Sequence, residues 1–482
     1  MSSQLSDKAF KATKWSTAAE LASRLVAPIS TMVLARVLTP EAFGVLVTAT
    51  MVISFAEIFT DAGFQKYLIQ HDFRDKPELY KSTNVAFIAN LTFSLFLWLI
   101  ICIFSEDIAE LVGNKGSGMV ITVSSVCIPL AAFSSIQMAL YKRHFDFKTL
   151  FIVRMVGVAI PIVITIPLAI LFKSYWALIG GMIALNLSNA VILTCKSEWK
   201  PKLWFSFKEF RRMFSFTGWS MLEAVSIWAT SYVDIFLIGK LMNDYYVGLY
   251  RTSINTVNQF INLITAAIVP VLFSTISRLQ NDPKEFNDMF LKFQKIISIL
   301  VVPLGVCIFL YKHLITGILL GSQWDRAAYF IGLWALTSSV TIIWSNLASE
   351  VYRAKGRPRI SVMVQVAQIL LIIPAVLLTI PKGFDTLCEW RSLVRLAAIL
   401  INVITLYYFV RISPMEQIKN VMPTIFCSVC IVLMTYIIPI SQDYLISIVQ
   451  LVGSGVLYLS LMMLFPKERN FIFNLKKIIK KR

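Results

Sequence analysis

Apolar runs of about 20 residues, the length an α-helix needs to cross a bilayer, succeed one another along most of the chain, and polar residues gather in the short segments between them. A membrane β-strand would instead alternate apolar and polar residues over about 10 positions, and these runs are continuous, so the pattern predicts helices. Fourteen spans are predicted, at 15–38, 42–65, 82–104, 118–140, 150–172, 175–195, 214–238, 246–272, 296–311, 327–351, 360–380, 392–410, 421–440 and 444–465. The ninth is short and is expected to begin nearer Phe286. Pro28, Pro129, Pro161, Pro167, Pro270, Pro303 and Pro374 fall inside spans and predict kinks, which membrane helices tolerate where neighbours satisfy the freed carbonyls.

Composition agrees with an all-α polytopic membrane protein: 57% of the 482 residues are hydrophobic, 15% are charged, and mean hydropathy is +0.72. Charge adds an orientation. With the N-terminus inside, cytoplasmic segments hold 33 of the 45 Lys and Arg, external loops 7 and the spans 5. Both termini are therefore expected in the cytoplasm, and the net charge of +18 reads as a surface facing anionic lipid, not a nucleic-acid footprint. No short apolar core with a cleavage site opens the chain, so the first span is expected to stay in the mature protein. Residues 196–213, "KSEWKPKLWFSFKEFRRM", interleave cations with aromatics and predict a cytoplasmic amphipathic linker; the tail "PKERNFIFNLKKIIKKR" reads the same way. The CxxC at Cys427 and Cys430 sits in an apolar run, where packing is the expected role.

A repeat organises the chain. Arg36, Val37, Gly44 and Val45 align with Lys240, Leu241, Gly248 and Leu249 at an offset of 204, and "YKRHFDFK" from Tyr141 aligns with "YRAKGRPR" from Tyr352 at 211. Six spans intervene, an even number, so the halves share one orientation as a parallel repeat. The expected architecture is an N-lobe of spans 1–6 (1–195), the linker (196–213), a C-lobe of spans 7–12 (214–411), and two appended spans with the basic tail (412–482). Arg36 and Lys240 then mark the external end of the first helix of each half.

Ionisable residues within spans mark function by default, because each costs about 3 kcal/mol at the bilayer centre unless it faces water or a partner. They are Arg24, Arg36, Arg154, Arg251 and Arg395, with Glu20, Glu57, Asp61, Glu223, Asp234 and Glu350. Glu20 and Arg24 stand i,i+4, as do Glu57 and Asp61; Glu223, Thr230 and Asp234 share a face, and Arg251, Asn255, Asn258, Gln259 and Asn262 form a stripe at helical spacing. This concentration on the first two helices of each half suggests a polar cavity between the lobes. Arg24, Arg251, Asn255, Asn258, Gln259 and Arg154 are the candidates for substrate binding, and Glu57, Asp61, Glu223, Asp234 and Glu350 those for ion coupling. There is no G-x-x-x-x-G-K-[ST] loop and no H-E-x-x-H pair, and His71, His144 and His313 are isolated outside the spans, so no catalytic site, cofactor or metal is expected.

The run "TMVLARVLTPEAFGVLVTATMVISFAEIFTDAGFQKYLIQ" resembles the start of the polysaccharide transporter family, the Wzx-type lipid-linked oligosaccharide flippases of the MOP superfamily, and "MALYKRHFDFKTL" is similar to the family's loop between spans four and five. The resemblance implies two lobes in a V around a cationic cavity. It also implies a multi-pass protein of the bacterial inner membrane that moves undecaprenyl-pyrophosphate-linked oligosaccharide units outward by alternating access, for O-antigen, capsule or exopolysaccharide assembly. Expected partners are that glycolipid, membrane lipids and the polysaccharide polymerase machinery. Arg24 and Arg251 occupy the regions where relatives place cavity arginines. The membrane potential, a proton or sodium could drive the step. Two other readings compete: a MATE-like cation-coupled multidrug antiporter, which favours an acidic aromatic cavity and twelve spans, and a membrane glycosyltransferase or polymerase, which favours a large external loop.

Overall fold

A computed structural model describes residues 2–61, 64–215, 218–466 and 468–470; the side chains of Asp61 and Glu223 lie outside the described residues. Every regular element among them is helical, and thirteen helices are long and apolar enough to cross a membrane. The first predicted span lies in α1 (Ser2–Val37). Packing divides the chain into two units, 1–251 and 252–482.

In the first unit α1 is followed by α2 (Pro40–Asp61), a short α3 (Phe64–Gln70) and α4 (Lys76–Ile103). The start of α4 is fixed locally: Asp75 accepts from the Glu78 N–H at 2.7 Å, and the Glu78 carboxylate accepts from the Arg74 N–H at 2.7 Å. Next come α5 (Ser105–Leu111), α6 (Gly118–Ser125) and α7 (Cys127–Arg143). The fourth predicted span is thus broken at Val126, three residues before Pro129, whose missing N–H leaves the Ser125 carbonyl without its helical donor. The fifth span is α8 (Phe147–Ile160) and α9 (Ile166–Phe172), joined by a π-helical turn, Pro161–Thr165, that begins at a proline. Then follow α10 (Trp176–Lys196), α11 (Phe207–Ser215) and α12 (Gly218–Leu241). Helix α1 packs on α8, α7 lies between α4 and α10, and α2 packs on α12. One correction concerns the linker: Trp199 does not lie on lipid but is buried among Leu68, Phe87 and Ile136, donating to Asn84 Oδ1 at 3.1 Å, while Leu203, Trp204, Phe205 and Phe207 remain exposed.

Helix α13 (Asp244–Arg278) begins in the first unit and runs into the second. The second unit continues with α14 (Pro283–Leu310), α15 (Lys312–Leu319), α16 (Asp325–Thr341), α17 (Leu347–Ala354), α18 (Pro358–Thr379) and α19 (Phe384–Val410). The ninth span therefore starts earlier than its apolar run, as expected. Its N-terminus is capped by Asp282, which accepts from the Lys284 and Glu285 N–H groups. The appended helices, α20 (Pro414–Ile437) and α21 (Tyr444–Leu464), pack on α14. Tyr458 donates to the Ile299 carbonyl at 3.0 Å, Lys295 pairs with Glu468 at 2.6 Å, and Cys427 is a buried free thiol in the same cluster.

Both halves of the repeat have a structural counterpart. A Cβ on Gly44 would lie 1.9 Å from the Asp244 carbonyl oxygen, and one on Gly248 would lie 1.8 Å from the Pro40 carbonyl oxygen. Pro40 and Asp244 are themselves related by the offset of 204, so the two motifs cross each other reciprocally at the N-termini of α2 and α13. In the second repeat, Phe145 and Gly356, related by 211, both adopt left-handed backbone, with φ 58° and 66°. Tyr141 and Tyr352 are both buried and both reach the sixth span of their half, the former at the Leu193 carbonyl (3.1 Å) and the latter at Asn402 Oδ1 (3.2 Å).

Candidate functional site

The i,i+4 spacing on α1 brings Glu20 and Arg24 together, with Arg24 Nε and Nη2 donating to Glu20 Oε1 at 2.7 and 2.6 Å. Because α1 packs on α8, Arg154 joins them: its Nη1 lies 2.7 Å from Glu20 Oε2, and its Nε and Nη2 donate to Ser23 Oγ at 3.2 and 2.9 Å. A single carboxylate thus bridges two guanidiniums, leaving the trio one positive charge in excess. On the same pair of helices, Trp15 and Phe151 pack with ring centroids 4.9 Å apart. Such a cluster can fix the guanidiniums for an anion, since a guanidinium is a planar fork of N–H groups suited to phosphate oxygens.

Arg251 belongs to a second cluster. Its guanidinium lies over the Tyr232 ring at 5.2 Å, Tyr232 stacks on Trp228 at 5.5 Å, and Trp228 Nε1 donates to Ser54 Oγ on α2 at 3.1 Å. Asp234, 2% exposed, accepts from the Tyr250 hydroxyl at 2.6 Å and from the Ile235 N–H at 2.9 Å, as a buried carboxylate requires. Asn255, Asn258 and Gln259 continue the stripe along α13, Asn255 exposed and the other two half-buried. Glu57 is half-buried on α2, and Glu350 pairs with Arg353 at 3.2 Å in the last turns of α17. Arg24 and Arg154 are thus joined through Glu20, and Arg251 is joined through Tyr232 and Trp228 to α2. No group of three or more potential metal ligands occurs among the described residues.

Sequence spacing missed two features. Ser23 holds Arg154, and only the α1–α8 contact shows it. In the second unit, Trp334 lies under two arginines, Arg395 at 3.8 Å and Arg391 at 5.4 Å, and Arg395 also donates to Ser338 Oγ at 2.6 Å. The i,i+4 spacing of Arg391 and Arg395 was a signal for that pair.

A family model described as "Polysaccharide biosynthesis protein" matches residues 33–329. The succinoglycan biosynthesis transport protein ExoT of Rhizobium meliloti (strain 1021) is 24% identical over 318 residues, 65% of this chain, which spans 62% of that relative's length. The lipopolysaccharide biosynthesis protein WzxC of Escherichia coli (strain K12) is 20% identical over 416 residues, covering 85% of this chain and 82% of WzxC. Among solved structures, the lipid II flippase MurJ in an inward closed conformation shares the fold, with a TM-score of 0.72 at 15% identity over 94% of this chain and 98% of MurJ. With its helical membrane fold and a match over more than half its length, this chain belongs to the polysaccharide biosynthesis protein family.

Proposed function

We propose that the protein is a flippase, carrying isoprenoid-pyrophosphate-linked oligosaccharide units from the cytoplasmic to the outer leaflet of a bacterial inner membrane for surface or exopolysaccharide assembly. The observation that carries this reading is the Glu20-bridged pair Arg24 and Arg154, cations held on apolar helices where an uncompensated charge is expensive. A pyrophosphate headgroup supplies the compensation. Arg251, Asn255, Asn258 and Gln259 are the candidates for holding the saccharide, whose hydroxyl groups need donors and acceptors once out of water. The prenyl tail stays in lipid, and alternating access moves the headgroup alone.

Outward movement of a negative headgroup follows an inside-negative potential, which contributes about 2.3 kcal/mol per charge at 100 mV. Glu57, Asp61, Glu223, Asp234 and Glu350 are the carboxylates through which a proton or sodium gradient could add to it. The test is transport of a fluorescent lipid-linked oligosaccharide in proteoliposomes. Arg24→Ala or Arg251→Ala is expected to lower the rate at least tenfold, about 1.4 kcal/mol, with protein yield retained, and Arg→Lys to restore part of it because an ammonium lacks the bidentate fork. Wild-type rates in both alanine variants would remove the assignment. Efflux of organic cations in place of glycolipid would point to the antiporter.

A further inference from the structure

One cavity in the first unit joins positive charge to apolar walls. It lies between α1, α7, α8 and α10, has a volume of about 530 Å³, and is bordered by Lys142, Arg154, Ser23 and Asn189 on its polar side and by residues including Phe151 and Leu185 on its apolar side. Among the described residues no carboxylate lines it. Arg154 is anchored at one edge by Glu20 and Ser23, yet its side chain stays 46% exposed. Lys142, in the last turn of α7, and Asn189, on α10, are half-buried, and neither side chain has a hydrogen-bond or ion-pair partner among the described residues. Gly157 lets α8 approach α10 closely on the apolar side, where a Cβ would meet Leu185 Cδ1 at 2.9 Å.

These observations constrain the ligand. The C-terminal end of α7 favours a cation at Lys142, which explains the residue's presence but not an ammonium without a counter-ion beside a guanidinium. An inorganic anion would satisfy the two cations and leave the hydrocarbon walls wet. A neutral hydrocarbon would cover the walls and leave the Lys142 ammonium without a counter-ion. A phosphorylated isoprenoid satisfies both, with charge-assisted hydrogen bonds at one end and apolar burial at the other. We propose that this cavity is a binding site for the phosphate-bearing end of an isoprenoid lipid, with its phosphate oxygens on Lys142 and Arg154, the Asn189 amide donating beside them, and the first isoprene units against Phe151 and Leu185. The choice of isoprenoid rests on the flippase reading above.

The experiment is binding of radiolabelled farnesyl pyrophosphate to the purified full-length protein in detergent. Lys142→Ala and Leu185→Trp, one removing the charge and the other filling the cavity, are each expected to weaken binding about tenfold, while Lys142→Arg retains it. Asn189→Ala, a small change on a half-buried surface, gives a second variant whose folding is not at stake and is expected to weaken binding less. Unlabelled farnesol and inorganic pyrophosphate should compete poorly. Unchanged affinity in Lys142→Ala and Leu185→Trp would overturn the site, as would equal competition by pyrophosphate alone, which marks a simple anion site, or by phosphatidylglycerol, which marks an unselective lipid site. Flipping is measured separately in proteoliposomes. Expected binding in a protein that flips no lipid-linked oligosaccharide would sink the transport function and leave the site standing, and the reverse result would sink the site alone.

Discussion

Glu20 is the residue on which the α1–α8 cluster depends, because both guanidiniums reach it. Replacing the carboxylate by an amide leaves two like charges near one neutral group. Glu20→Gln is therefore expected to lower thermal stability by about 1 kcal/mol, a figure reduced from the buried value because Glu20 is 36% exposed. The effects of Glu20→Gln and Arg154→Gln should fall short of additivity, since each removes the same bond. Additive losses in thermal unfolding of the purified protein would show that the pair is geometric only. Of this cluster, the Glu20–Arg24 half was legible in the sequence, because i,i+4 spacing on a helix is a fixed distance. Arg154 was legible as an intramembrane cation but not as a partner, since the rotation of α8 against α1 decides what faces what.

At the scale of elements, the repeated glycines have a shared physical cause. Gly44 and Gly248 stand where the first turns of α2 and α13 cross, each against a backbone carbonyl that cannot move aside as a side chain can. Gly44→Ala and Gly248→Ala are each expected to destabilise by about 1–3 kcal/mol through forced separation of the helices. Gly453→Ala, in α21 with open space around it, is the control and should be neutral or slightly stabilising, because alanine is the better helix former. Equal behaviour of all three in thermal unfolding would contradict the reciprocal crossing. The sequence offered the repeat as an offset between short motifs. That the two copies touch each other, and that Asp244 and Pro40 provide the carbonyls, belongs to packing.

At the scale of the molecule, topology is the remaining prediction, and it follows from the distribution of Lys and Arg. Reporter fusions at 196–213 and in the tail should be cytoplasmic, and a fusion within 105–117 should be external. Segment 105–117 is ordered by its own acid: Glu106 accepts from the Gly116 and Gly118 N–H groups at 2.6 and 3.0 Å and so caps α6. An external reporter at 196–213 would reverse the assignment of every loop.

That this is a helical membrane protein, and where most of its spans lie, is legible from the residues alone. Those properties follow from hydrogen-bond satisfaction in hydrocarbon and from helical periodicity, which are local to each segment. Tertiary structure alone decided which charges meet. It placed Trp199 in a core although its basic, aromatic surroundings read as interfacial, and it set two arginines on Trp334. It also set Lys142 and Asn189 beside an apolar wall. The physical reason is that an apolar helix exposes similar surface all round, so its rotation and depth are fixed by side-chain interlocking with neighbours distant in sequence, and the polar groups come together as that interlocking dictates.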